Sequence, residues 1–154
     1  MKIIPLGPGF AAELRDVTLA EITTDNDAYR EARAAFEQHS VLVFRDQEVS
    51  DKSQVAFSSR FGPLEVTHVA SQGAGTNLVI LSTIGTDGKV VPEDHRLALR
   101  NRANQLWHSD STFKSVPALA SVLSARTIPE DGGETEYASR ARRVATGTLA
   151  VDLA

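Results

Sequence analysis

Cysteine is absent from this 154-residue sequence. That excludes disulfides and thiolate metal sites, so a bound metal would need imidazole, carboxylate or water as ligands. It also fits the reducing cytoplasm, where the protein is expected to work. An excess of basic charge is missing too: the net charge of −4 creates no field for nucleic acid, which is not an expected partner. No apolar run approaches the ~20 residues that a membrane-spanning helix needs. Pro5, Gly7, Pro8 and Gly9 interrupt the N-terminus before a signal-peptide core could form. No membrane association is expected. Internal repeats are lacking, and of the four histidines none follows His108. What remains is 42% hydrophobic and 23% charged residues, the balance of a soluble globular chain of one-domain size.

The chain then shows local order. D-N-D-A-Y-R-E-A-R-A-A-F-E-Q-H, residues 25–39, predicts a helix: Thr24 or Asp25 can cap it, and Tyr29, Ala32 and Phe36 recur at helical spacing. S-V-L-V-F-R, residues 40–45, is β-branched and aromatic and predicts a buried strand. Ser50 can cap a second helix to about Arg60, with Phe57 and Phe61 four apart and Gly62–Pro63 stopping it. Further strands are predicted at 77–83, 118–126 and 134–138. A hairpin turn is expected at 86–89 and another turn at 129–133, while 92–96 reads as loop or helix start. Two helices followed by short strands indicate an α+β chain whose strands build a sandwich or barrel.

The chemistry concentrates in N-Q-L-W-H-S-D-S-T-F, residues 104–113. Along an extended backbone, side chains two apart leave the same face, so His108 and Asp110 could grip one metal ion. An H-x-D pair by itself is weak, and a polar strand end carries the same residues. His39 sits where a helix C-terminus favours it. His68 and His95 read as solvated loop residues. Trp107 and Phe113 read as core, because aromatics carry large burial terms.

Four ordered motifs raise the specificity: H-S-V-L-V-F-R-D-Q, A-F-S-S-R-F-G-P-L-E, W-H-S-D-S-T-F and I-P-E-D-G-G-E-T-E-Y. Together they resemble the taurine dioxygenase and 2,4-dichlorophenoxyacetate dioxygenase family, whose enzymes use Fe(II) and 2-oxoglutarate, over the first helix to about Tyr137. The central motif looks closer to the phenoxyacetate branch. The resemblance implies a double-stranded β-helix (a jelly roll) with iron held by two histidines and one carboxylate, three positions remaining open. His108 and Asp110 match the first two ligands. By the same resemblance, 2-oxoglutarate takes two open positions and dioxygen the last, with Thr135 matching a hydroxyl that contacts the far carboxylate. Asn104 matches a position lining the substrate pocket, and His68 sits near another. The implied reaction is hydroxylation of a small, anionic organic acid.

The family also needs a second histidine and an arginine from its C-terminal half, and neither has a counterpart here. The expected architecture is therefore the N-terminal half of the jelly roll over 1–138, followed by a divergent tail, 139–154. That tail, with three arginines at 140, 142 and 143 and no aromatic, reads as a shifted coding frame or an amphipathic end helix through Val144, Leu149 and Leu153. Open sheet edges would favour self-association. A non-catalytic remnant or binding module of the same fold is the alternative function. A hydrolase using His108, Asp110 and an upstream histidine is a third.

Overall fold

The computed structural model describes residues 1–66, 76–85, 87–129, 132–139 and 149–151; the side chains of 100, 103 and 149–151 are not described. The chain divides into two compact units, residues 1–61 with 122–154, and residues 62–121.

The first unit begins with a hairpin. β1 (Lys2–Pro5) runs antiparallel to β2 (Ala12–Arg15), in the register Lys2↔Arg15 to Pro5↔Ala12. Gly7, Pro8 and Gly9 between them thus make a turn, closed by Leu6 N–H donating to the Ala11 carbonyl at 3.0 Å. Two helices follow. α1 (Leu19–Thr24) starts at a reciprocal capping box, in which Thr18 accepts from the Glu21 N–H and the Glu21 carboxylate accepts from the Thr18 N–H. α2 (Asn26–His39) is the helix predicted at 25–39. Asp25 joins the two: its N–H donates to the Glu21 carbonyl, while its carboxylate accepts from the N–H groups of Asp27 and Ala28. α2 ends at Ser40 in the left-handed region, φ 65°.

The strand expected over 40–45 is only β3 (Leu42–Val43), parallel to β2. The left-handed Ser40 before it and Asp46 after it (φ 55°) confine the extended backbone. α3 (Asp51–Ser59) is capped by Ser50, as predicted. The core gathers Leu14, Ile22, Ala32, Ala35 and Phe57. Its aromatic side places Phe57 5.2 Å from Phe61 and 5.7 Å from Phe44, centroid to centroid.

The expected strand 118–126 does not form. Its later part, in the first unit, is held by side chains instead of a ladder. Gln54 donates to the Val122 carbonyl, and the Arg126 guanidinium donates to the Val49 carbonyl, Asp51 and Gln54. β4 (Thr135–Tyr137) does form, within the predicted 134–138, and pairs antiparallel with β5 (Leu149–Val151). Leu149 is therefore in a strand and not in an end helix; the rest of the tail, 140–148 and 152–154, lies outside the described residues.

In the second unit, 77–83 forms no ladder either. A single bridge, Ile84↔Val90, flanks the predicted turn at 86–89, of which Thr86 lies outside the described residues. Beyond it α4 (Arg96–Ala103) is capped by His95, whose Nδ1 accepts from the Leu97 N–H at 3.2 Å. His95 is thus an exposed cap at a helix start, one of the two readings open for 92–96. Among the described residues the strands make one mixed three-stranded sheet and one antiparallel pair, and no helix is long and apolar enough to cross a membrane.

Candidate metal centre

α4 ends at Asn104, whose N–H donates back to the Asn101 carbonyl at 3.1 Å. The chain leaves the helix there and runs irregularly through Trp107, His108 and Ser109 into a turn at Asp110–Phe113. The extended backbone assumed for H-x-D is therefore replaced by a coil entering a turn. Ser111, left-handed at φ 58°, reverses the direction immediately after Asp110. The turn still brings the pair together: His108 Nε2 lies 3.4 Å from Asp110 Oδ1.

The other ring nitrogen decides the chemistry of that contact. His108 Nδ1 is 2.6 Å from the Leu106 carbonyl oxygen, which can only accept, so Nδ1 must carry hydrogen. In the neutral imidazole Nε2 is then a bare lone pair facing a carboxylate oxygen. A proton or a cation can bridge two electron-pair donors at this distance. A proton gives an ordinary His–Asp ion pair, though 3.4 Å exceeds the usual span of an N–H···O bond. A first-row metal bonded to each at roughly 2.0–2.2 Å accommodates the separation. A backbone acceptor holding the distal imidazole nitrogen is also the usual outer support of a metal-bound histidine. Asp110 is supported likewise: its Oδ2 accepts from Ser121 Oγ at 2.6 Å. The residues present therefore fit a metal ion. Both side chains are about half exposed, 49% for His108 and 58% for Asp110, leaving the donors open to solvent. Among the described residues no group of three or more metal-binding side chains assembles.

Glu65 anchors the turn from its far side, accepting from Ser111 Oγ at 3.0 Å and Lys114 Nζ at 2.7 Å. Ser121 and Glu65 were not legible as parts of the site. The one available signal was a lone hydroxyl in the apolar run A-L-A-S-V-L, since a polar group there needs a partner. Trp107 and Phe113 are not core: they are 62% and 80% exposed, because among the described residues of this unit no sheet forms to receive them. Asn104 belongs to the same unit as His108 and Asp110, as an exposed helix cap. Thr135, half-buried at the opening of β4, belongs to the other unit. His68 lies outside the described residues.

Comparison with known proteins gives the class. The family described as taurine catabolism dioxygenase TauD, TfdA family matches residues 2–145. The alpha-ketoglutarate-dependent 2,4-dichlorophenoxyacetate dioxygenase of Cupriavidus pinatubonensis is 42% identical over 138 residues, 86% of this chain and 48% of that protein. The (S)-phenoxypropionate/alpha-ketoglutarate-dioxygenase of Sphingobium herbicidovorans is 33% identical over 153 residues, covering 98% of this chain and 48% of its own length. Among solved structures, AAD-2 in complex with Mn(II) and N-oxalylglycine superposes with a TM-score of 0.75 at 38% identity, covering 88% of this chain and 46% of that one. The chain belongs to the TauD/TfdA dioxygenase family, and it spans about half the length of the curated relatives it matches.

Proposed function

We propose that this chain carries the His-x-Asp half of an Fe(II)/2-oxoglutarate-dependent dioxygenase centre, in the N-terminal half (residues 1–138) of a jelly-roll domain working in the cytoplasm. The observation that carries the reading is Nε2 of His108 facing Asp110 Oδ1 at 3.4 Å, with Nδ1 2.6 Å from the Leu106 carbonyl oxygen. Bound iron with 2-oxoglutarate would supply oxidative hydroxylation driven by dioxygen. The chain's own part is narrower. His108 and Asp110 hold the metal, the Leu106 carbonyl fixes which imidazole nitrogen is free, and the Thr135 hydroxyl binds the far carboxylate of 2-oxoglutarate. Asn104 contributes to the substrate pocket, as does His68. The second histidine and the arginine that clamps the co-substrate come from the half that the relatives have beyond this match. A lone hydroxyl cannot replace that guanidinium, which grips a carboxylate with two parallel N–H groups.

The substrate is a small anionic organic acid; aryloxyalkanoic acids, named for the relatives, are the first compounds to test. With two protein ligands, metal binding by the chain alone is expected to be weak. A Co(II) titration should show loose binding that disappears in His108→Ala, Asp110→Ala; tight binding indifferent to that double change removes the site. Activity is tested by continuing the chain after Tyr137 with the C-terminal half of a relative and following 2-oxoglutarate decarboxylation coupled to oxygen uptake. Iron-dependent turnover is the expected result. A folded fusion that binds iron yet never consumes 2-oxoglutarate would establish the non-catalytic alternative.

A further inference from the structure

The two oxygens of Asp110 have different neighbours. Oδ1 faces His108 Nε2 at 3.4 Å, and Oδ2 accepts from Ser121 Oγ at 2.6 Å. The second distance is that of a charge-assisted O–H···O⁻ bond. Ser121 stands eleven residues along the chain from Asp110, so the contact is not imposed by local turn geometry. It lies in the apolar run 118–123, which forms no strand, so nothing in a ladder dictates a hydroxyl at that position. An exposed aspartate on a turn otherwise rotates freely about its side-chain bonds. Occupying Oδ2 turns Oδ1 toward the imidazole and makes Asp110 a one-oxygen donor, as His108 is made a one-nitrogen donor by the Leu106 carbonyl.

We infer that Ser121 is a positioning residue for the metal centre: its hydroxyl sets the orientation of the Asp110 carboxylate and so the affinity of the His108–Asp110 pair for a divalent cation. This inference rests on the function proposed above and deepens it. Outer-sphere partners of metal ligands typically change affinity by about 10–100-fold when removed, and an exposed pair of two ligands falls toward the lower end of that range.

The test titrates Co(II) into the full 154-residue chain, reading the visible absorption of the bound ion for affinity and geometry and far-UV circular dichroism for folding. Four proteins are compared: unsubstituted chain, Ser121→Ala, Ser121→Thr, and His108→Ala with Asp110→Ala. The expected result is about tenfold weaker binding with an altered visible spectrum in Ser121→Ala, and near-restoration in Ser121→Thr, which keeps the hydroxyl. The double variant should bind nothing. If binding depends on His108 and Asp110 but Ser121→Ala matches the unsubstituted chain, the positioning role is overturned and the metal site stands. If Ser121→Ala weakens binding and Ser121→Thr does so equally, the hydroxyl is not the cause and the inference also falls. If the unsubstituted chain binds no Co(II), or binds it independently of His108 and Asp110, the underlying site is wrong and the inference goes with it.

Discussion

The first 61 residues and the segment 62–121 contain similar apolar material put to different use. In the first, Leu14, Ile22, Ala32, Ala35 and Phe57 are buried together, with Tyr29, Phe44 and Phe61 packed on them. In the second, Val79, Ile80, Leu81, Leu106, Trp107, Phe113, Val116 and Leu119 are all exposed. The difference lies in where partners come from. A helix satisfies its own backbone and needs only one apolar stripe covered. A strand needs a neighbouring strand for its N–H and C=O groups, and 77–83 builds no ladder among the described residues, although the Thr83 carbonyl accepts from the Val91 N–H at 2.8 Å. Apolar content therefore predicts burial only where the hydrogen bonds can be completed nearby.

This contrast can be broken most sharply with two phenylalanines. Phe57→Ala should destabilise the first unit by about 3–5 kcal/mol, the usual range for emptying an aromatic core site. Phe113→Ala should fall within about 0.5 kcal/mol of the unsubstituted chain, as exposed substitutions do. Urea unfolding followed by circular dichroism compares them; equal effects would mean that the second unit has a core after all. A smaller effect sharpens the helical side. Asp25 serves α1 and α2 at once, so Asp25→Ala should cost about 1 kcal/mol, and Asp25→Asn, which keeps the cap oxygen, should recover most of it in the same measurement. A larger loss than one cap explains would show that the two helices fold as one cooperative piece.

The smallest expected effect depends on pH. Glu13 is buried on β2, and the Arg15 hydrogen bonds, with the charges of Arg15 and Arg45, outweigh its burial and hold its carboxyl below the usual value. A carboxylate lowered on folding binds fewer protons in the native state, so its stabilisation is complete above the ordinary carboxylate value. It is lost as pH falls through the lowered one. Glu13→Gln should therefore reduce stability at neutral pH and flatten its decline in acid. An unchanged slope between neutral pH and the acid limb would show that the pair contributes nothing.

Where a signal was local, it could be read from the residues. The α2 and α3 boundaries followed from Asp25, Ser50 and the aromatic spacing, and β4 from its turn and β-branched opening. α1 was equally available, as T-L-A-E at 18–21 is a capping-box signature, but its short length hid it. The hairpin β1–β2 is obscured in the sequence because Pro5, Gly7, Pro8 and Gly9 break a pattern as readily as they turn it. The strands expected at 77–83 and 118–126 do not form for a deeper reason: an apolar β-branched run states a preference, and the ladder must be supplied by other residues.

The sequence alone determined the family, through four motifs in order, and the choice of His108 and Asp110 as a pair of donors, because residue type and spacing are properties of the chain itself. Only the tertiary structure decided which atoms of that pair meet. The left-handed Ser111, the Leu106 carbonyl on Nδ1, the Ser121 hydroxyl on Oδ2 and Glu65 across the turn set the orientation of the two side chains. Those contacts span from two to forty-six residues, and no local spacing rule encodes a hydrogen bond between groups that meet only after the chain has folded.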